Sequence, residues 1–396
     1  MVTACGGRCK DVESARAALA ARTGAPDRGA DIRITLPFAQ LDRVFAEQLA
    51  AVPLTVPLEV PDLGLAITAT ATELRLRPGP AMTIRFATRI AVRDADRELT
   101  TLVAEIDVTP VVTRGELVVG FGPQDVVAVK PVLGDEAKAA LGDAVSRHLP
   151  DRLRGKIPKL VLDEAAAKLA GHLTGAAFEG LRRTLFVRLG ELATWRVKLP
   201  DVPIASHAIR STPSALVVEI VTDLPVRRGL AAATERQLAT VELSGSAAAE
   251  LANWAIDRRH VPRWYNRDLE PQPDGEFTPR FDFVAEDAHP LKVHVLQERG
   301  GCSYFRVGVA ATVGMTGDQV VATATDRELE TASANPVIEV AATVKFFLFG
   351  WLDRSKQLAA HTVLRVGDRT LATRVVGAAF DHGDLRFAIQ MSSAKL

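Results

Sequence analysis

Ile32-Arg33-Ile34-Thr35-Leu36-Pro37-Phe38 opens the first patterned region of the chain, and a fainter copy, Val241-Glu242-Leu243-Ser244, stands 207 residues later. In both, apolar and polar residues alternate, the period of a strand with one buried face. In both, the strand runs directly into a helical pattern. Leu41, Val44, Phe45 and Leu49 share one helical face in the first copy, and Ala248, Leu251, Ala252 and Ile256 share one in the second. Aligned without a gap, Ile34 falls on Val241, Leu36 on Leu243, Val44 on Leu251 and Leu49 on Ile256. A long stretch of strand-like pattern follows each copy. The repeat predicts an α+β chain with two tandem domains: a tether at 1–30, a first domain over 31–225 and a second over 226–396.

Between the two copies the period is mostly two. Leu65, Ile67, Ala69 and Ala71 form one stripe; Met82, Ile84 and Phe86, continued by Ile90 and Val92, form another; Leu102, Ala104, Ile106 and Val108 form a third. Polar residues fill the alternate positions, which predicts curved antiparallel sheets with one wet face. Val52-Pro53, Val56-Pro57 and Val60-Pro61 read as an extended edge, because proline lacks a backbone donor. Helical spacing returns over 135–182, first with Ala137, Leu141, Ala144, Val145 and His148, then with Leu162, Ala165, Ala166, Leu169, Leu173 and Ala177. The second half carries strands but no long helix to match.

The 396 residues hold 48 basic and 48 acidic side chains. That balance removes the electrostatic case for nucleic acid, which is bound through many Lys and Arg contacts to phosphate. Hydrophobic residues at 47% exclude wholesale disorder. The densest apolar run, Val344 to Leu352, is half the length needed to span a bilayer and is broken by Lys345. No complete signal peptide is read at the start. Val2-Thr3-Ala4-Cys5-Gly6 nonetheless looks like the end of a bacterial lipoprotein signal, which makes Cys5 the candidate for lipidation; a chance Ala-Cys is the alternative. If Cys5 is set aside, Cys9 and Cys302 remain, and sequence does not decide whether they pair.

A strand feeding an amphipathic helix, then a meander of alternating strands and another helix, with the plan repeated, resembles the tubular lipid-binding superfamily. The group includes bactericidal/permeability-increasing proteins and bacterial lipoprotein relatives. Ile32 to Phe38 with Leu41, Phe45 and Leu49 carry the resemblance, and Val241-Glu242-Leu243 with Leu251 and Ile256 carry it more weakly. It covers the layout of 31–396 and rests on no short invariant motif. It implies two domains, each a strongly curved antiparallel sheet wrapped around a long helix, with an apolar lumen for lipid tails. On that implication Leu41, Phe45, Leu49, Met82, Ile84, Phe86, Leu102, Ile106 and Val108 line the lumen of the first domain. The residues themselves leave a second reading open, in which the same stripes pack as a dry core.

No catalytic set is legible. There is no Gly-x-Ser-x-Gly elbow and no phosphate loop. Ser244-Gly245-Ser246, at a strand–helix junction, reads as an N-cap. His289 and His294 differ in strand parity and cannot share a metal; Asp381-His382-Gly383-Asp384 reads as a turn. Arg85, Arg89 and Arg93 line one strand face, either to meet anionic headgroups or as a solvated surface. Trp254, Trp264 and Tyr265 either dip into a membrane interface or cap the end of a barrel.

These readings lead to one expectation. The chain is not an enzyme, uses no cofactor or metal, and binds or carries a lipid or other long apolar molecule in the bacterial cell envelope, periplasmic or lipid-anchored, with possible membrane-surface contact. Two rivals remain: an envelope protein that is structural or binds partners, and a hydrolase whose residues meet only in three dimensions.

Overall fold

The computed structural model describes residues 6–60, 65–80, 83–113, 115–147, 175–199, 201–232, 237–266, 270–316, 319–332, 364–366 and 369–393, with scattered positions over 158–172. Met82, Cys5, His148, most of the helix read over 162–177 and the run Val344 to Leu352 lie outside the described residues.

Helix α1 (Gly6–Ala20) is followed by strand β1 (Ile32–Pro37), which passes without a loop into α2 (Phe38–Ala51). Then come β2 (Thr55–Val60), β3 (Leu65–Pro78), β4 (Ile84–Asp94) and β5 (Arg97–Val108), an antiparallel meander. Short strands β6 (Val111–Thr113), β7 (Glu116–Val119) and β8 (Lys130–Val132) lead to helices α3 (Asp135–Arg147), α4 (Ala176–Arg183) and α5 (Leu185–Ala193). Strand β9 (Trp195–Lys198) precedes the hairpin β10 (Ile204–Ser211) and β11 (Ala215–Thr222).

The second half opens the same way. Strand β12 (Ala239–Ser244) passes directly into α6 (Gly245–Asp257). A second meander follows: β13 (Phe277–Phe283), β14 (Leu291–Gln297), β15 (Tyr304–Thr316) and β16 (Gln319–Ala332). Strands β17 (Leu364–Val366), β18 (Arg369–Asp381) and β19 (Asp384–Ser393) complete it, with β18 and β19 a hairpin turned at His382-Gly383, both at positive φ.

Among the described residues, three hydrogen-bonded sheets result. The largest runs β10-β11-β1-β12-β19-β18-β17-β9-β7-β6 and takes strands from both halves; the others are β2-β3-β4-β5-β8 and β13-β14-β15-β16. Within the largest, third and fourth from one edge, β1 and β12 pair antiparallel, with Ile34 opposite Val241. These two residues also align in sequence, so the two strand–helix units are related by a local twofold axis through that pair.

This overturns the expected fold class. Among the described residues no curled sheet wraps a long helix in either half. The longest described helix is α1, with 15 residues; α2 has 14 and α6 has 13. The physical reason is joint use of the central sheet. The apolar side of β1 is covered by the packed first half, so it needs no enclosing tube. The two tandem domains expected from the repeat instead share one ten-stranded sheet.

The apolar side of the central sheet joins the main core. Ile32, Leu36, Leu216, Val218 and Ile220 meet Leu41, Val44, Phe45 and Leu49 of α2, and Leu185, Phe186 and Leu189 of α5, with Trp195 buried among them. Its other side is polar yet largely covered. Glu219, Arg33, Glu242 and Arg386 stand in register on β11, β1, β12 and β19, alternating in sign. Arg33 donates to Glu242 at 3.1 Å, to Glu219 at 3.2 Å and to the Ala231 carbonyl at 2.8 Å; Arg386 donates to Glu242 at 2.8 Å. Next to this ladder Asp31 is fully buried, held by Arg28 at 2.9 Å and by the backbone and hydroxyl of Thr222 at 2.7 and 2.6 Å. Each buried charge thus has the partners it needs to leave water.

Helix α1 does not hang free as a tether. Val12 is buried with Leu296 of β14 and Tyr304 of β15, and Cys9 is disulfide-bonded to Cys302, with a Cα–Cα distance of 4.8 Å. The sheet β13–β16 therefore carries α6 on one face and α1 on the other.

Candidate functional site

Helix α6 is fixed at its start and at its middle. Ser244 is its N-cap, its hydroxyl accepting from Ala247 N–H at 3.1 Å, as the sequence led us to expect. Further along, Asn253 reaches the edge strand β13. Its Nδ2 donates to the Phe281 carbonyl and its Oδ1 accepts from Phe281 N–H, both at 2.8 Å. That side chain satisfies backbone groups which an edge strand leaves open. Glu250 accepts from Asn253 at 3.1 Å and from Arg22 at 3.0 Å; burial nevertheless raises the Glu250 carboxyl above its ordinary pKa.

Between this clamped helix and the sheet lies a crevice of about 80 Å³. Gly245, Ala248, Ala249 and Ala252 line it from α6, and Phe281, Phe283 and Leu291 from β13 and β14. Val309, Ala311, Val313 and Ala322 come from β15 and β16, while Phe380 and Leu385 close it from β18 and β19. No lining side chain is polar. Strand alternation explains this: Phe281 and Phe283 point into the crevice while Asp282, between them, lines a cavity under α1.

The local twofold explains why the crevice exists. At the 207-residue offset, Phe38 corresponds to Gly245, Leu41 to Ala248 and Phe45 to Ala252. In the first half those three large side chains are buried and packed; in the second their small counterparts line the space. A Cβ at Gly245 would lie 2.6 Å from the Phe283 ring and from the Gly383 carbonyl, so glycine is needed for this close approach. The signal was present in the aligned copies, as a drop in side-chain volume at matched positions.

The expected lumen residues are placed elsewhere. Leu41, Phe45, Leu49, Ile84, Phe86, Leu102 and Ile106 are buried in the main core, and Val108 packs against it. Phe45 lies 6.4 Å from both Phe86 and Trp195, and Phe86 5.2 Å from Phe121, centroid to centroid. None of them lines the crevice or the cavity under α1. Met82 and the lipidation candidate Cys5 lie outside the described residues.

The arginine row is matched strand by strand with carboxylates. Arg85 pairs with Asp107 at 2.7 Å and Glu105 at 3.0 Å, Arg89 with Glu73 at 3.3 Å, and Arg93 with Glu98 at 3.8 Å. The Arg85 guanidinium holds the Asp107 carboxyl below its usual range. The guanidinium groups of Arg299 and Arg263 lie over the Trp264 ring, 3.7 and 5.0 Å from its centroid, while Tyr265 is buried in a bridge to Phe277.

No group of three or more His, Cys, Asp or Glu side chains suited to a metal occurs among the described residues. His289 contacts Asp326 at 3.1 Å and Glu328 at 3.4 Å. Buried His294 contacts the Tyr304 hydroxyl at 2.9 Å through Nδ1. Among the described residues no helix is long and apolar enough to cross a membrane, which says nothing of strands.

No family model and no curated protein matches the chain. Among solved structures, P47 from Clostridium botulinum A2 is similar at 10% identity and a TM-score of 0.37, over 92% of this chain and 98% of that one. P47 of Clostridium botulinum E1 is similar at 8% identity and a TM-score of 0.41, over 92% of this chain and 100% of that one. Likeness at that level carries no argument about function.

Proposed function

We propose that this protein binds the apolar end of a lipid, or of a similar long hydrocarbon, under α6. The observation that carries the reading is the crevice: a partly open space among buried elements, lined by apolar side chains alone. Apolar cavities stay dry and accept apolar ligands. The disulfide adds support for an oxidising compartment of the cell envelope, since such bonds are reduced in the cytosol.

Size limits the claim usefully. About 80 Å³ holds the last few methylenes of a chain. At about 0.8 kcal/mol for each buried CH₂, three of them contribute roughly 2 kcal/mol. Holding a whole acyl chain requires α6 to lift from β15.

The test is native mass spectrometry of detergent-free protein, with lipid extraction and uptake of a fluorescent fatty acid. Ala248→Leu with Ala252→Phe gives α6 two of the side chains that fill the first half. The double variant is expected to fold with equal or greater stability and to lose uptake. Uptake by the double variant equal to that of the parent would overturn the reading.

A second reading has its own observation. The described first-half stripe residues are buried together in one hydrophobic core at the positions expected to form a lumen. A structural or partner-binding envelope protein with a dry core is what that half resembles. Recovery of no lipid, with no uptake, would favour it.

A further inference from the structure

On the opposite face of the β13–β16 sheet, a cavity of about 410 Å³ lies beneath α1. That volume falls within the range of small-molecule sites. Its walls are unlike those of the crevice: Arg22, Arg227, Arg306, Asp11 and Asp282 contribute charge, and Ala15, Ala18 and Leu19 of the α1 segment form the apolar side.

The commitments of those charges decide the chemistry. Arg22 is spent, since it bonds Glu250, Asp282 and the Phe281 carbonyl at 3.0 to 3.2 Å with its side chain nearly buried. Asp282 is spent on Arg22. Arg306 is ion-paired through Nε with Glu330 at 2.7 Å, but that nitrogen lacks the geometry of a hydrogen bond and is buried without a hydrogen-bond partner. The guanidinium of Arg227 comes no nearer than 3.8 Å to Asp282 and is half exposed. One uncommitted carboxylate, Asp11, therefore faces two guanidinium groups with donors to spare. Guanidinium forks match carboxylate and phosphate oxygens in pairs.

We infer that this cavity binds the oxyanion of a small molecule, a carboxylate or phosphate group held between Arg227 and Arg306. The site is separated from the crevice by the sheet itself, and its assignment stands or falls apart from lipid binding under α6. Beside it, His294 is buried with its Nε2 unpartnered and contributes no charge at neutral pH. With His294 neutral, the two guanidinium groups of Arg227 and Arg306 outnumber the single carboxylate of Asp11, which sets the sign of the ligand.

Thermal unfolding of the full, disulfide-bonded chain tests this, with sodium chloride at matched ionic strength as reference. Citrate, inorganic phosphate and dihexanoyl phosphatidic acid are titrated separately. At least one is expected to raise Tm saturably above the chloride reference. Arg306→Gln should weaken that response about tenfold or more, and half-exposed Arg227→Gln should do the same without disturbing the fold. Arg97→Gln, which touches only Asp143 on the first half, should respond like the parent. A response to citrate or phosphate identifies a free anion; a response to the phosphatidic acid alone identifies a lipid headgroup. Shifts no larger than those of chloride, or unchanged affinity in both Arg227→Gln and Arg306→Gln, overturn the proposal.

Discussion

At the scale of the residue, Arg33 shows how burial changes the value of a charge. Its side chain is 6% exposed, and both flanking carboxylates are largely covered. Replacing it with Met leaves Glu219 and Glu242, on the strands either side of β1, without their shared cation. We expect a loss of about 3–5 kcal/mol, the usual cost of breaking a buried pair from one side, read by urea unfolding. A loss below 1 kcal/mol would show that water reaches the ladder. The alternation Ile32-Arg33-Ile34 was readable as a strand with a polar face. That this face is covered was not, because its partners come from strands some two hundred positions away. His294 provides a second case. Burial lowers its pKa to about 4, below the 6.5 of an exposed imidazole. Above pH 6.5 it is neutral in folded and unfolded chains alike and contributes no pH dependence. Between about 6.5 and 4 the unfolded chain takes up the proton and the folded chain does not, so acidification lowers stability, by roughly 3 kcal/mol in all. Unfolding free energies at a series of pH values should show that slope in the parent and lose it in His294→Gln.

At the scale of the element, α2 and α6 are the same device with different fillings. The helical spacing located both, and Leu41, Val44, Phe45 and Leu49 are buried as their spacing implied. Expectation and structure part over where the empty space lies. Large residues on a stripe were read as lumen lining, whereas large residues fill space and small ones leave it. On the same argument Ile84→Trp should not block uptake selectively. It should overpack the core and cost about 1–3 kcal/mol, measured by chemical unfolding, because Ile84 is fully buried. Helix α1 is the opposite kind of element. Among its residues of described burial only Val12 is deeply buried, so packing holds it weakly and the disulfide holds it firmly. The bond joins residues 293 positions apart, and closing so long a loop in the unfolded chain is worth about 5–6 kcal/mol on the chain-entropy estimate. Cys9→Ser should lose stability of that order and make the α1 segment the first site of limited proteolysis, seen by mass spectrometry of the fragments. Equal protease resistance with and without the bond would show that packing suffices. The cysteines were visible in the sequence, but their pairing depends on the docking of α1 against β14 and β15.

At the scale of the molecule, order along the chain was legible and order within the sheets was not. Each strand–helix junction could be found from period and proline, but the pairing of β1 with β12 joins segments too far apart for any local pattern to report. That pairing predicts how the chain tolerates division. Residues 31–225 made alone would expose the edge of β1, and residues 226–396 the edge of β12, each with unpaired backbone groups. We expect each piece to aggregate when made singly, and the two co-expressed to elute together on size exclusion. Two monodisperse, separately folded pieces would count against this. The axis through Ile34 and Val241 has one more consequence. A surface that pairs with its own equivalent is isologous, the contact made by two identical subunits. In a dimer of identical chains every substitution appears on both sides of the axis, so hollowing one subunit hollows the other. Here the two sides lie on a single chain and are free to differ: one can be packed solid for rigidity while its counterpart, with glycine and alanine at the matched positions, keeps room for a guest.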